Sequence, residues 1–292
     1  MKIRFYVAGK KGFATLEAII KQFGESCVDI VITARDSGVE NDWSDEIFSL
    51  CQKYRLRCYL RNDSQTETQL PDYSFAIGWR WMIEGIHNLI VFHDSPLPKY
   101  RGFAPLANML INGEREIGAT ALLGTSEYDK GGILYQHSKK ISYPKKIADA
   151  IEDIINIYVK LAFKIIEGIL NNNTLVAKPQ TESQATYSPW RDENDYLINW
   201  HQDSDSIVRF VNALGPPYRG AASRLNGETV RIYEIDTVQD VFVECRKSSI
   251  GKVIFMDRQQ PVIICGSGLV RLAEIRKNGE IIPTIPFRSR FE

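Results

Sequence analysis

The chain has no surplus of charge: 36 Lys and Arg balance 36 Asp and Glu, for a net charge of +0. A protein whose main task is gripping nucleic acid usually carries a basic excess, because phosphate contacts dominate that affinity. Neutrality argues against that class while leaving room for a local basic patch. Cysteine is sparse. The five residues, at 27, 51, 58, 245 and 265, are odd in number and form no metal-ligand spacing. Cys27, Cys51 and Cys265 sit in or beside apolar runs and read as buried thiols, which suits a reducing cytoplasm. No run approaches the roughly 18 apolar residues of a membrane helix. The opening Met1-Lys2-Ile3-Arg4-Phe5-Tyr6-Val7 is too short and too charged for a signal peptide. There is no internal repeat and no low-complexity tract. A chain of 292 residues that is 44% hydrophobic and 25% charged has the composition of one large globular domain or two smaller ones.

What is there is an alternation. Residues 3–8 read as a buried strand ending at Gly9, with Lys10-Lys11-Gly12 as a turn and a helix from Phe13 to Phe23. Further strands are expected at 28–33, 57–60, 75–78 and 89–93, with a helical segment at 42–54. Strands alternating with helices predict an α/β fold, a Rossmann-like parallel sheet with helices on both faces. Such sheets bind ligands beyond the carboxyl ends of their strands. Helix is expected at 102–111 and strand at 119–124 and 133–136. From Ile147 to Leu170 apolar residues recur at three and four, a long amphipathic helix that closes the first domain.

Residues 178–199 begin with a stretch rich in Ser, Thr, Gln and Pro, a linker composition. Beyond Trp200 come one short helix, 204–214, capped by Asp203 or Ser204, and short strands at 220–225, 229–235, 252–256, 261–265 and 268–275. That spacing suggests a small C-terminal β-barrel, OB-like in size. The expected domains are therefore 1–177, a linker at 178–199, and 200–292.

The stretch that bears chemistry is His93-Asp94-Ser95-Pro96-Leu97-Pro98-Lys99-Tyr100-Arg101-Gly102, followed later by Asp129-Lys130-Gly131-Gly132. A histidine that ends an apolar strand is, taken alone, more often structural. Here Pro96 and Pro98 stiffen the loop after it, and histidine titrates near neutral pH, so it can take and return a proton. Asp129 read alone is a loop acid in a glycine turn; placed beside His93 it would orient the ring and favour its charged form.

These residues resemble the signature of the folate-dependent formyltransferases, N-x-H-x-S-L-L-P-x-x-R-G with a later D-x-G. His93, Ser95, Leu97, Pro98, Arg101 and Gly102 fall on it, as do Pro105, Ile111-Asn112-Gly113, Gly118 with Thr120, Asp129, Gly132 and Gln136. Trp190 to Trp200, the helix at 204–214, Gly215-Pro216-Pro217 and Gly220-Ala221 are similar to the start of the C-terminal domain of two-domain members. The resemblance implies attack of a primary amine on the formyl carbon of 10-formyltetrahydrofolate, with no metal. It implies His93 as acid/base and oxyanion donor and Asp129 as its carboxylate partner. It also places a pterin-binding loop at Gly78-Trp79-Arg80-Trp81-Met82-Ile83. Trp79, Trp81, Met82 and Ile83 are then cofactor-binding candidates together with Asp129, Gly131 and Gly132, although core packing explains the two tryptophans as readily. Lys10, Lys99 and Arg101 are candidates for substrate phosphate, and for the lysines simple solvation is the plainer reading.

The sequence departs from the signature at one position. The family's asparagine stands two residues before its histidine, where this chain has Val91. Valine has no donor, and losing one oxyanion donor costs on the order of 10²–10³ in rate. Another donor substitutes, with Asn88 nearby but of the wrong parity for a straight strand; or His93 carries the charge with a backbone N–H or Ser95; or the chain binds without turnover. Among acceptors, neutrality disfavours tRNA, and the second domain disfavours glycinamide ribonucleotide. The variants at 78–83 and 93–98 look most like the nucleotide-sugar branch. The expectation is therefore a cytoplasmic enzyme acting on a nucleotide-linked amino sugar, without membrane contact, and a homodimer as members of the family commonly are. A methionyl-tRNA formyltransferase relative is the alternative enzyme, and a folate or nucleotide-sugar binding protein the non-enzymatic one.

Overall fold

The computed structural model describes residues 1–63 and 71–292. The chain divides into two compact units. The first comprises 1–106, 116–140 and 150–190; the second comprises 107–115, 141–149 and 191–292. Residues 178–190, whose composition reads as a linker, run with the first unit.

The first unit is built on a seven-stranded sheet flanked by helices. In chain order its strands are β1 (Ile3–Val7), β2 (Val28–Thr33), β3 (Cys58–Leu60), β4 (Tyr73–Ile77), β5 (Leu89–His93), a two-residue β6 (Arg101–Gly102) that lies outside the sheet, β7 (Glu116–Leu123) and β8 (Ile133–Lys140). The sheet order is β3-β2-β1-β4-β5-β7-β8. From β3 to β5 all neighbours are parallel, as the alternation predicts. β7 and β8 correct the expectation of a wholly parallel sheet, because β7 pairs antiparallel with both β5 and β8. An antiparallel pair needs no crossover helix, so a hairpin can extend the edge directly.

The helices of this unit include α1 (Gly9–Phe23), α2 (Ser44–Lys53), α3 (Pro105–Ile111) and α4 (Ile147–Leu170), the last two of which extend into the segments grouped with the second unit. α1 begins at Gly9, so Lys10-Lys11-Gly12 form its first turn, where the sequence reading places a separate turn. The reason is tertiary. A Cβ at Gly12 would lie 3.0 Å from Ile77 O and 3.0 Å from Val7 Cβ, so the glycine lets the helix start flat against the strand ends. α3 likewise begins three residues after the expected helix start, because Arg101 and Gly102 pair with β9 (Tyr187–Ser188).

Side chains alternate along β5. Leu89 and Val91 face a cluster containing Tyr6, Ile30, Ile32 and Ala76, against which Trp79, Ile83 and Ile86 of the β4–β5 connection pack. Phe92 points the other way, with its ring centroid 5.4 Å from that of Tyr158 on α4. The buried Tyr158 hydroxyl, with one hydrogen to give, stands between Phe92 O at 2.9 Å and the Asp94 carboxylate, which also pairs with Lys11. Burial, and then the Asp94 charge, push the Tyr158 hydroxyl well above its ordinary range.

The second unit carries α5 (Ser204–Leu214), a short α6 (Arg246–Ser249) and a six-stranded antiparallel sheet of β10 (Ala221–Leu225), β11 (Glu228–Val238), β12 (Val253–Asp257), β13 (Gln260–Ile264), β14 (Leu269–Lys277) and β15 (Glu280–Ile281). The order is β10-β11-β14-β13-β12, with β15 on β14. Asp203 caps α5, accepting from Ser206 N–H at 2.8 Å. The buried face of α5 (Ile207, Val208, Val211 and Leu214) shares a core with Ile232, Ile263 and Leu272. At the sheet's ends, Arg224 N–H donates to Glu292 O at 2.8 Å and Phe291 N–H donates to Gly251 O at 2.8 Å.

Candidate active site

His93 is the last residue of β5 and is 7% exposed. Its Nε2 lies 2.8 Å from Tyr100 O, and its Nδ1 lies 3.3 Å from Asp129 Oδ1. A carbonyl only accepts, so Nε2 carries the hydrogen. Nδ1 is thereby turned toward the Asp129 carboxylate, and both side chains are screened from bulk water. The other carboxylate oxygen, Asp129 Oδ2, accepts from Gly102 N–H at 2.8 Å.

Bringing Asp129 to this ring takes a detour. β7 passes His93 at Thr120 and ends at Leu123 beside Ile90, toward the other end of β5. The β7–β8 loop must turn back over the sheet face to place Asp129 against the imidazole. The turn is tight. A Cβ at Gly131 would lie 1.7 Å from Leu123 O, and one at Gly132 would lie 2.8 Å from Ala177 Cβ. On the Cβ side of each glycine the space is taken by the chain itself. Asp129 has φ +57°, the left-handed region that non-glycine residues seldom occupy.

The loop after β5 is fastened at many points. Ser95 Oγ donates to Lys99 O at 2.6 Å. Thr120 Oγ1 donates to Ser95 O at 2.7 Å and accepts from Leu97 N–H at 3.1 Å and from Gln136 Nε2 at 2.8 Å. Gln136 Nε2 also donates to Leu97 O at 2.9 Å. Thr120 and Gln136, two positions of the sequence signature, are thus the ties that hold the Pro96–Pro98 turn.

Arg101 is 1% exposed, and its guanidinium is committed within the protein. It forms a two-pronged pair with Glu182 at 2.7 and 2.9 Å, donates to the Gln180 amide oxygen at 2.8 and 3.1 Å, and meets Tyr187 OH at 3.3 Å. Its hydrogen bonds to Glu182 hold that carboxyl below the usual glutamate range and raise the guanidinium. The expectation that Arg101 meets a substrate phosphate gives way to a clamp between the site and residues 180–187. Lys10 is exposed in α1 and pairs with Glu152, and Lys99 is exposed in the β5–α3 loop. Among the described residues, neither forms a hydrogen bond or ion pair with His93 or Asp129.

Val91 packs with Trp79 and Ile83 on the apolar cluster, so it places no donor beside the histidine. Of the substitutes weighed, Asn88 precedes β5 and donates to Asp72 O at 3.1 Å, and the Ser95 hydroxyl is buried and used by Lys99 O. Both are committed elsewhere, which leaves His93 itself and backbone N–H groups.

In the expected pterin segment, Trp79 packs edge-on to Tyr6 and to Trp81, with ring centroids 5.5 and 4.9 Å apart. Arg80 lies over Trp81 at 4.9 Å. Ile83 is half-buried and Met82 exposed. Trp79 Nε1 is buried with no hydrogen-bond partner. A buried donor left open is costly, and an acceptor on a flat heterocycle would satisfy it; the segment fits a folate ring in that respect. Among the described residues no group of His, Cys, Asp and Glu could hold a metal ion, and no helix is long and apolar enough to cross a membrane.

Sequence reasoning missed Gln180. Its side-chain N–H groups donate to Asp129 O at 2.7 Å and Gly131 O at 2.8 Å. It sits in a stretch whose composition reads as linker, and nothing in that composition signals such a contact.

Comparisons with known proteins place the chain in a family. Residues 73–157 match the family described as "Formyl transferase", and residues 191–286 match "Formyl transferase, C-terminal domain". The methionyl-tRNA formyltransferase of Geobacter metallireducens is 31% identical over 196 residues, 66% of this chain and 60% of that protein. The chain spans about 60% of the length of the curated relatives it matches first. Among solved structures, the N-formyltransferase from Helicobacter canadensis, in complex with folinic acid and dTDP-3-aminofucose, superposes with TM-score 0.70 at 19% identity, covering 93% of this chain and 98% of that one. HypX from Aquifex aeolicus, in complex with tetrahydrofolic acid, gives TM-score 0.63 at 18% identity over 95% of this chain and 44% of that one. At these identities the structural likeness is one of fold.

Proposed function

Because the chain belongs to the formyltransferase superfamily, we propose that it transfers a formyl group from 10-formyltetrahydrofolate to the amino group of a nucleotide-linked amino sugar. The observation that carries the reading is the His93–Asp129 pair at the end of β5, with Gly102 N–H on the second carboxylate oxygen.

When bound, the folate supplies the formyl carbon. The chain's own residues supply the rest. An amine must lose a proton as it becomes an amide, and the Asp129 carboxylate beside His93 Nδ1 is the base that takes it up. Charge developing on the formyl oxygen needs a preset donor. With valine at 91, that donor is the His93 Nε2–H, whose bond to Tyr100 O is shared or exchanged as the substrate arrives. Trp79, Trp81, Met82 and Ile83 form the face for the folate ring, with the open Trp79 Nε1–H reading its edge.

The choice of acceptor rests on extent and charge. The amino-sugar enzyme from Helicobacter canadensis superposes with TM-score 0.70 over 93% of this chain, against 0.56 over 82% for the methionyl-tRNA formyltransferase from Clostridium thermocellum. The chain also lacks a basic surplus. A second reading, a relative of the methionyl-tRNA formyltransferases, is favoured by the 31% identity to one of them. The test is release of tetrahydrofolate with UDP- and dTDP-amino sugars and methionyl-tRNA offered in parallel. Turnover that depends on one amino sugar is expected; turnover with the tRNA alone would move the chain to the second reading.

A further inference from the structure

We propose that Gln180 is a positioning residue for the Asp129 carboxylate, an inference that rests on the formyl-transfer reading above. Four hydrogen bonds fix its side chain. Its two N–H groups donate to Asp129 O and Gly131 O at 2.7 and 2.8 Å, and its oxygen accepts from Arg101 Nε and Nη2 at 3.1 and 2.8 Å. The orientation of the amide is therefore determined. Flipped, it would set N–H groups against a guanidinium and an oxygen against two carbonyls.

The consequence falls on the carboxylate. Asp129 is a non-glycine residue at φ +57°, a conformation that persists only where the surroundings impose it. Gln180 grips the carbonyl of Asp129 itself and that of Gly131, so it holds the backbone on both sides of Lys130. Gly102 N–H holds one side-chain oxygen, and the other is thereby left 3.3 Å from His93 Nδ1. Arg101 joins the two anchors. Its neighbour Gly102 supplies the N–H, and its guanidinium, pinned by Glu182, supplies the fixed point for Gln180. Gln180 touches neither reacting atom nor histidine. It acts through the backbone of Asp129.

The substitution that separates positioning from mere packing is Gln180→Glu. Glutamate is nearly the same size and still accepts from Arg101, but it cannot donate to the two carbonyls and faces them with negative charge. A small misplacement of a reacting group costs up to about 10²-fold in rate. In the full-length chain, Gln180→Glu should lower kcat by about 10- to 100-fold, with KM for both substrates within about threefold if binding is untouched. Gln180→Ala should do the same. A second readout needs no turnover: the NMR signals of the His93 ring should shift in Gln180→Glu, because the Nδ1 partner moves. Wild-type kcat in a folded Gln180→Glu protein would overturn the proposal. So would a lower Tm with unchanged His93 signals, which is what a purely structural role predicts. If the wild-type chain transferred no formyl group, the reading above would fail, and the His93 signals would still decide for or against Gln180.

Discussion

The connections that follow β4 and β5 leave neighbouring parallel strands at the same end of the sheet, yet they are held in opposite ways. The β4 connection is held by ring packing, with Trp79 against Tyr6 and Trp81, Ile83 on the apolar cluster, and one buried donor unmet. The β5 connection is held by directional bonds, through Ser95, Thr120, Gln136 and Gly102, down to both oxygens of Asp129. Apolar packing tolerates small shifts, whereas hydrogen bonds fix angle as well as distance. The difference suits the two tasks proposed: a flat ring needs a surface, and a proton transfer needs a line.

The largest effect expected from breaking this arrangement is at the directional side. His93→Ala and Asp129→Asn should each cut turnover by about 10²–10⁴-fold, while folate binding, followed by fluorescence titration, stays measurable. Full activity in either variant would remove the pair from the mechanism. Gly131→Ala tests the tight turn that brings Asp129 back over the sheet. A methyl group there would meet Leu123 O at 1.7 Å, so a loss of about 3 kcal/mol in denaturant unfolding is expected. Val91→Asn restores the family's residue but sets an amide on the apolar cluster. It should cost about 1–3 kcal/mol of stability without a severe loss of turnover by the folded protein. A stable but inactive Val91→Asn protein would show instead that the geometry around His93 has been rebuilt for valine. The smallest effect is on the packed side. Trp79→Phe removes the unmet donor, so stability should hold, while folate affinity weakens by roughly threefold to tenfold, the worth of one hydrogen bond.

Much of the frame was legible. β5 and α4 stand at the residues that the apolar runs and helical spacing indicate, since both are buried along lengths their own periodicity reports. Strand direction was not. Alternation is the same in either sense, so the antiparallel β7–β8 edge was hidden. The start of α1 was obscured because Lys-Lys-Gly reads locally as a turn, and only contact with Val7 and Ile77 explains why Gly12 is helical.

Within the site, His93 and Asp129 were legible through the signature, and the 3.3 Å between them is what the structure adds. The clamp of Arg101, Glu182 and Gln180 was not legible. It joins residues some 80 positions apart in the chain, and a polar, aperiodic stretch gives no sign that one of its amides reaches a carbonyl beside a buried acid.

The most direct test of the central claim follows the formyl carbon itself. With ¹³C-formyl-labelled 10-formyltetrahydrofolate and the panel of nucleotide-linked amino sugars, NMR of the products should show the label in a new formamide on one sugar. Label that stays on the folate with every amino sugar, or passes only to methionyl-tRNA, would contradict the account.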